Sequence, residues 1–274
     1  MASHISFIGA GNMASAIIEG LLDSGHDAGA LTATATSDAT LTALHDRLGI
    51  NTGTDNNHAV AHSDVVVLAV KPQIMRQVCE EVRDAVQARK PLIISVAAGL
   101  PADALERWLG GELAVVRCMP NTPSLVGAGA SGLYANPRVS DDQRRLAEEL
   151  LSAVGIVEWV EDEALLEAVT AVSGSAPAYF FLMFEAMEDA AVAQGLPADT
   201  ARRLAMQAAL GAARMAMASD KLPGELKRNV MSPGGTTERA IHRLENGGFR
   251  QLVQDAMNDC ADRARDMAKE LGEH

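Results

Sequence analysis

Two short segments, one near each end of this chain, carry residues whose types and spacing could do chemistry. The first is Gly9-Ala10-Gly11-Asn12-Met13-Ala14, which fits G-x-G-x-x-(G/A). Its first glycine allows a tight turn, its second leaves room for a pyrophosphate against the backbone, and its small last residue lets a helix pack close to a strand. The apolar run ISFI precedes it and MASAIIEGLL follows it, so the strand and helix that the motif requires are both present. Amides at the helix start, with the helix dipole behind them, then suit phosphates. The implied chemistry is dinucleotide binding; a glycine turn without a ligand is the competing reading. The second segment is Ser232-Pro233-Gly234-Gly235-Thr236-Thr237. Gly234 and Gly235 can offer backbone amides to a carboxylate as a small nest, and Ser232 can add a hydroxyl donor. Taken alone, the stretch reads first as a proline–glycine turn between helices, capped by threonines.

Residues between these segments refine the first site. An acid at the end of the second strand would bind the ribose hydroxyls of NAD, and an arginine there would meet the extra phosphate of NADP. Thr34-Ala-Thr36-Ser37-Asp38 offers neither sign cleanly. Thr36 and Ser37 supply hydroxyl donors, so the expectation is NADP, with NAD possible. Asp38 reads equally well as a helix cap. Ala69-Val70-Lys71-Pro72-Gln73 follows another strand, where ligands of parallel sheets gather, and Pro72 suits a helix start. Lys71 is either a surface lysine or a neighbour of the cofactor. Ser95-Val-Ala97-Ala-Gly99 is small enough for a nicotinamide riboside to approach the backbone. Asn56 and Ala97 complete the expected cofactor-binding set.

The elements that must position these groups follow from hydropathy. Short β-rich runs, Ile5–Ile8, 31–36, 65–70, Leu92–Val96, 113–117, 128–134 and 156–160, alternate with helix-compatible stretches at 12–24, 40–48, 73–88 and 102–109. That alternation predicts βαβ units, and continuous runs such as VVVLAV predict strands covered on both faces. After Glu161 the chain turns to alanine- and methionine-rich helical runs near 175–194, 198–218 and 249–272. The predicted class is therefore α/β: a Rossmann-type, doubly wound, mostly parallel sheet over residues 1–160, then an all-α domain over 161–274. Small residues and methionines, Met183, Met187, Met206, Met215 and Met217 among them, suit packing against a second copy, so a homodimer is expected.

Composition excludes several classes. A net charge of −13 argues against a nucleic-acid partner, because phosphate binding needs a basic face. Three cysteines without CxxC spacing indicate neither a disulfide framework nor a cysteine-rich metal site. No metal is expected; His58 and His62 lie four apart, but no third ligand is obvious. The N-terminal MASHISFIGAGNMA has no basic region ahead of its apolar residues, and no uninterrupted apolar run approaches the ~20 residues of a membrane span. The expectation is a cytoplasmic protein without a membrane segment.

GAGNMA at 9–14, AVKPQ at 69–73, MPNTP at 119–123, SGSAPAYFF at 173–181 and SPGGTTERAIHRLENGGFR at 232–250 resemble pyrroline-5-carboxylate reductase in order and spacing. The resemblance runs over nearly the whole chain. It implies NAD(P)H reduction of the C=N bond of a cyclic imine carboxylate to proline, with the helical domain interlocked with that of a second protomer and active sites at the dimer interface. It further implies that Thr237 hydrogen-bonds the ring nitrogen, with Ser232, Gly234, Gly235 and Thr236 at the substrate. Asn229 and, less closely, Glu163 match substrate-contacting positions, and Asp220 falls where the family carries an acid; Asp220 favours the iminium form or caps a helix. The segment 173–181 departs from the family in having Ala176 where glycine is common, which is tolerable if the backbone there is not left-handed.

The chemistry of the matching residues agrees with an imine. Reducing a ketone leaves an alkoxide that needs a strong proton donor, and the helical half offers only His242, His274, Tyr179, Lys221, Lys227 and Lys269. An imine nitrogen can be protonated before hydride arrives, so hydroxyls and amides suffice. A β-hydroxyacid dehydrogenase shares the layout but resembles its relatives in a catalytic lysine on the interdomain helix, and Ser173–Gly195 contains no lysine. A non-catalytic dinucleotide sensor has no use for residues 232–237.

Overall fold

The computed structural model describes residues 3–272; His274 lies outside them. Eight strands form one sheet: β1 (Ile5–Ile8), β2 (Leu31–Thr34), β3 (Asn51–Gly53), β4 (Val65–Leu68), β5 (Leu92–Ser95), β6 (Val115–Met119), β7 (Gly129–Ala135) and β8 (Gly155–Trp159). Their order is β3-β2-β1-β4-β5-β6-β7-β8. Only β7 against β6 is antiparallel; β8 pairs parallel to β7. The helices are α1 (Asn12–Asp23), α2 (Asp38–Leu48), α3 (Asn56–Ala61), α4 (Pro72–Arg89), α5 (Ala102–Trp108), α6 (Asp141–Ser152), α7 (Leu165–Val169), α8 (Ala176–Ala193), α9 (Ala198–Met217), α10 (Pro223–Val230), α11 (Thr236–Asn246) and α12 (Phe249–Gly272).

Strand β4 shows why the apolar runs are continuous. Val65 and Val67 join a core on one face with Phe7, Ile17 and Leu92, while Val66 and Leu68 join a core on the other with Met75, Val82 and Ile93. Side chains alternate across a strand, so a strand covered on both faces must be apolar at every position. Helix α4 supplies part of the second core through Met75, Val78, Cys79, Val82 and Val86, a single stripe at helical spacing. Each such side chain contributes about 1.5–3 kcal/mol by leaving water.

Among the strands and α-helices up to Trp159, three lie outside the expected ranges, and beyond it α7, α10 and α11 do. Strand β3, Asn-Thr-Gly, has no β-rich signature; it is held by parallel pairing with β2 and by Asn51 Nδ2 donating to the carbonyls of Gly29 (2.9 Å) and Leu31 (3.2 Å). Helix α3 is too short to show a period. Helix α6 had a legible start, since Ser140 and Gln143 form a capping box in which each side chain meets the other's backbone amide. Strand β2 stops at Thr34 rather than 36, because Ser37 already serves as the N-cap of α2.

The chain divides into two compact units. One comprises the residues up to Ser175 together with those from Asp259 onward, and the other is Ala176–Asn258. Strand content ends at Trp159, where the sequence changes character, while α7 and the last turns of α12 belong with the sheet.

Within the second unit, α8 packs beside α9, and Arg202 holds Glu188 with two hydrogen bonds of 2.8 and 2.6 Å. Hydrogen bonds from Arg250 and then Lys227 draw the Glu245 carboxyl down to about 2. No residue of α8 is buried. Phe180, Phe181 and Leu182 are more than 60% exposed, and the five methionines expected to pack are 39–79% exposed in the single chain. The helical stretch Leu165–Ala193 contains an 18-residue window of mean hydropathy 1.3 and is long and apolar enough, by length and composition only, to cross a membrane. The expectation concerned uninterrupted apolar residues, and this stretch is interrupted by Glu167, Glu185, Glu188 and Asp189.

Candidate active site

One candidate region is built where β1 and β4 end side by side, in parallel register with Ile8 opposite Leu68. Gly9 turns the chain with φ +104°, and a Cβ there would lie 2.8 Å from the Ala69 carbonyl oxygen and 2.9 Å from Val70 Cγ1. Only glycine relieves both constraints. Its amide donates to the Thr34 carbonyl at 3.1 Å, tying the loop to β2. Gly11 then serves as N-cap of α1, with no side-chain cap and no acid in the first turn. The first amides of a helix lack intrahelical partners, and here no protein group takes their place. Ala10 and Met13 are half-buried, Asn12 is exposed, and Ala14 is fully buried against the sheet. Helix α4 begins in the same manner: Lys71 is its N-cap, Pro72 its first residue, and no side chain caps it. These two uncapped helix starts at neighbouring strand ends have the chemistry to hold a pyrophosphate.

Beyond the end of β2, Thr36 and Ser37 are exposed. Asp38 does not cap α2; Ser37 does, its hydroxyl accepting from the Thr40 amide at 3.4 Å, and Asp38 occupies the first turn. Asn56 opens α3, accepting from Thr34 Oγ1 at 2.6 Å and donating to Glu81 at 3.1 Å, so it bridges β2 to α4. Ala97 is buried beyond β5, where its amide meets Ser95 Oγ at 3.4 Å.

A role that the sequence reading missed belongs to Asn121, within MPNTP. It is buried, its amide donating to the Ser173 carbonyl at 3.1 Å while its oxygen accepts from the Ala130 amide at 3.0 Å. Asn121 thereby fastens the end of β6 to a turn of π-helix, Thr170–Gly174, that precedes α8. Single π-helical turns are rare and occur frequently at functional sites. The motif itself was the available signal; the partner at Ser173 was not. Ala176 starts α8 and is not among the residues with positive φ, so its Cβ is tolerated there.

Glu163 has partners of its own in the first unit. Its Oε1 accepts from the Ala102 amide at the start of α5 and from Arg117 Nη1 on β6, each at 2.7 Å. Burial, followed by the charges of Glu163 and Asp162, raises the Tyr134 phenol above its ordinary value. Burial raises the Cys79 and Cys118 thiols to about 12, so neither is a ready nucleophile. Among the described residues no group of three metal-type side chains gathers, and the His58 and His62 rings lie 4.5 Å apart.

A separate candidate region lies in the second unit. Ser232, Pro233, Gly234 and Gly235 form a tight turn: the Gly235 amide donates to the Ser232 carbonyl at 2.9 Å, and Gly234 has φ +72°. The Gly234 amide donates to Glu238 Oε2 at 2.8 Å. Both glycine amides expected to form a free nest are thus engaged within the loop. The open donors are instead those at the start of α11, whose N-cap is Gly235 and carries no side-chain cap. Thr236 and Thr237 are the first two residues of that helix, and Thr237 is half-buried. Asn229 is exposed near the end of α10. Asp220 is exposed in the turn after α9 and caps neither neighbour, since α10 takes Leu222 as its N-cap.

This chain is similar to the pyrroline-5-carboxylate reductase of Pseudomonas aeruginosa, with 50% identity over 270 residues covering 98% of each chain. The chain belongs to the pyrroline-5-carboxylate reductase family. The family's dimerisation model, "pyrroline-5-carboxylate reductase dimerisation", matches residues 163–267, and residues 4–99 match "NADP oxidoreductase coenzyme F420-dependent". The solved pyrroline-5-carboxylate reductase of Coxiella burnetii is 45% identical with a TM-score of 0.95, covering 98% of this chain and 99% of that one. The Plasmodium falciparum enzyme, solved with NADP bound, is 29% identical with a TM-score of 0.85, covering 97% and 98%. Gly9–Ala14 falls in one matched region and Ser232–Thr237 in the other.

Proposed function

We propose that this chain reduces the C=N bond of 1-pyrroline-5-carboxylate to L-proline with a reduced nicotinamide dinucleotide, NADPH in preference to NADH, as the last step of proline biosynthesis in the cytoplasm. The observation that carries the reading is the intact Ser232–Thr237 loop opening onto an uncapped helix start in a chain 50% identical to a reductase of that name. The cofactor, when bound, supplies the hydride. Its pyrophosphate is held by Gly9–Ala14 with the amides at the start of α1, and Ala69, Val70, Lys71, Pro72, Asn56 and Ala97 line the rest of its path. Exposed hydroxyls at Thr36 and Ser37, ahead of the acid at Asp38, favour the phosphorylated dinucleotide.

The substrate brings a carboxylate and a basic nitrogen. Ser232, the Gly234 amide and the open amides at the start of α11 hold the carboxylate, with Asn229 as a further polar contact. The Thr237 hydroxyl oxygen accepts a hydrogen bond from the protonated ring nitrogen, and Asp220 favours the iminium form by its charge. A protonated C=N bond is already electrophilic, so the chain's main contribution is to orient it. Glu163 is assigned a substrate contact by family likeness, while its observed bonds to Ala102 and Arg117 assign it a part in holding α5.

Purified protein is expected to oxidise NADPH on addition of pyrroline-5-carboxylate, with a lower KM for NADPH than for NADH. Absence of turnover with either cofactor would overturn the assignment.

The apolar face of α8 and α9 points to a homodimer or a larger homo-oligomer through the helical unit, since a face with Phe180, Phe181 and Leu182 exposed is stabilised by covering it. The match of 163–267 to a dimerisation family supports the same reading over a membrane-spanning one. Sedimentation velocity is expected to show a species of at least two chains, without detergent. A 28.8 kDa monomer alone would remove the dimer.

A further inference from the structure

The Gly234 amide is one of the donors that a substrate carboxylate would use, and the chain already supplies it with a carboxylate: Glu238 Oε2 accepts from it at 2.8 Å. Glu238 is the third residue of α11, the position from which an acid ordinarily reaches back to the amide of the N-cap. Here the N-cap amide, Gly235, is taken by the Ser232 carbonyl, so Glu238 reaches one residue further to Gly234. No Lys, Arg or His is paired with Glu238 among the described residues, so its charge is balanced by backbone dipoles alone.

From this geometry we infer that Glu238 is an internal placeholder for the substrate carboxylate, which must displace it from the Gly234 amide. The inference rests on the reading of Ser232–Thr237 as the carboxylate site. One N–H cannot donate fully to two carboxylates, and two carboxylates a few ångströms apart repel. Glu238 therefore acts as a positioning residue. In the free enzyme it keeps Gly234 in its left-handed turn and the loop shaped. On binding, its departure costs part of the affinity, and this penalty falls on any ligand carrying a carboxylate at that amide.

The test is Glu238→Gln, which keeps an oxygen able to accept from Gly234 while removing the charge. Its KM for pyrroline-5-carboxylate and its Kd for L-proline, measured by equilibrium binding with NADP present, are both expected to fall by about two- to five-fold, the scale of an exposed charge–charge contact. A displaced ground-state contact acts on KM rather than on kcat. A merely structural cap predicts the opposite, because a weaker hydrogen bond would loosen the loop and raise both constants. Unchanged or raised constants overturn the inference. Glu238→Ala serves as a second variant: competition predicts tighter L-proline binding despite a lower melting temperature, and weaker binding overturns it. The wild type separates the two readings, since loss of its own turnover and L-proline binding would strike the site assignment, whereas an active wild type with an unresponsive Glu238→Gln would strike only the placeholder.

Discussion

Replacing Gly11 by valine is expected to raise the Kd for NADPH by about ten- to a hundred-fold while leaving the protein folded. Gly11 has φ −79°, a conformation open to any residue, and a Cβ built on it meets no atom within 4 Å. The substitution therefore creates no internal clash. Its structural cost is that of a poorer N-cap, about 1 kcal/mol. The cost to the ligand is larger, because branched methyl groups would occupy the space beside the uncapped amides of α1 and keep the pyrophosphate from them. Hydrogen bonds to a charged group are worth about 1.5–3 kcal/mol each, and losing one gives about the stated range. Fluorescence titration with NADPH, paired with circular dichroism, checks both halves; an unchanged titration curve in a folded variant would contradict the phosphate-loop reading. Gly9→Ala is a useful contrast. There the Cβ collides with Ala69 at positive φ, so a loss of binding would be confounded with a loss of structure.

Thr237→Ala is expected to lower kcat/KM about a hundred-fold with the Kd for NADPH unchanged. Thr237 Oγ1 makes no hydrogen bond among the described residues. Its removal leaves no partner stranded, and alanine is well suited to a helix. What is lost is the one hydroxyl assigned to the ring nitrogen. Groups that handle a proton at the reacting centre contribute typically 10²–10⁴-fold, and the low end applies because an iminium is already protonated. Steady-state kinetics with pyrroline-5-carboxylate, alongside NADPH titration, separates the roles. Thr237→Ser should recover most of the activity, since it restores the oxygen at the same carbon. Equal turnover in the alanine variant would remove Thr237 from the mechanism.

How much could be read from the sequence differs sharply between the two halves. The phosphate loop was legible because its constraint is local: Gly9 must take a positive φ, Ala14 must be small, and both follow from a strand running into a helix within one short segment. The loop at 232–237 was legible as a turn; its reading as a substrate site comes from family likeness alone. Its hydrogen-bond state was not legible. That the Gly234 amide is spent on Glu238, and the Gly235 amide on Ser232, depends on how the first turn of α11 coils back over the turn before it. The same limit hid Asn121, whose partners at Ala130 and Ser173 are distant in sequence.

The sequence by itself determined that β-rich runs alternate with helices up to Trp159, that the strands are covered on both faces, that a glycine turn opens α1, and that the remainder is helical. Each of these is written in local periodicity and in residues with restricted or unusual backbone freedom. Only the tertiary structure decided the antiparallel entry of β7, the existence of β3, the capture of Glu163 by Ala102 and Arg117, and which amides of the 232–237 loop stay open. Those outcomes are settled by donors and acceptors that meet across the fold, and a polar group's choice among several possible partners leaves no period in the chain to read.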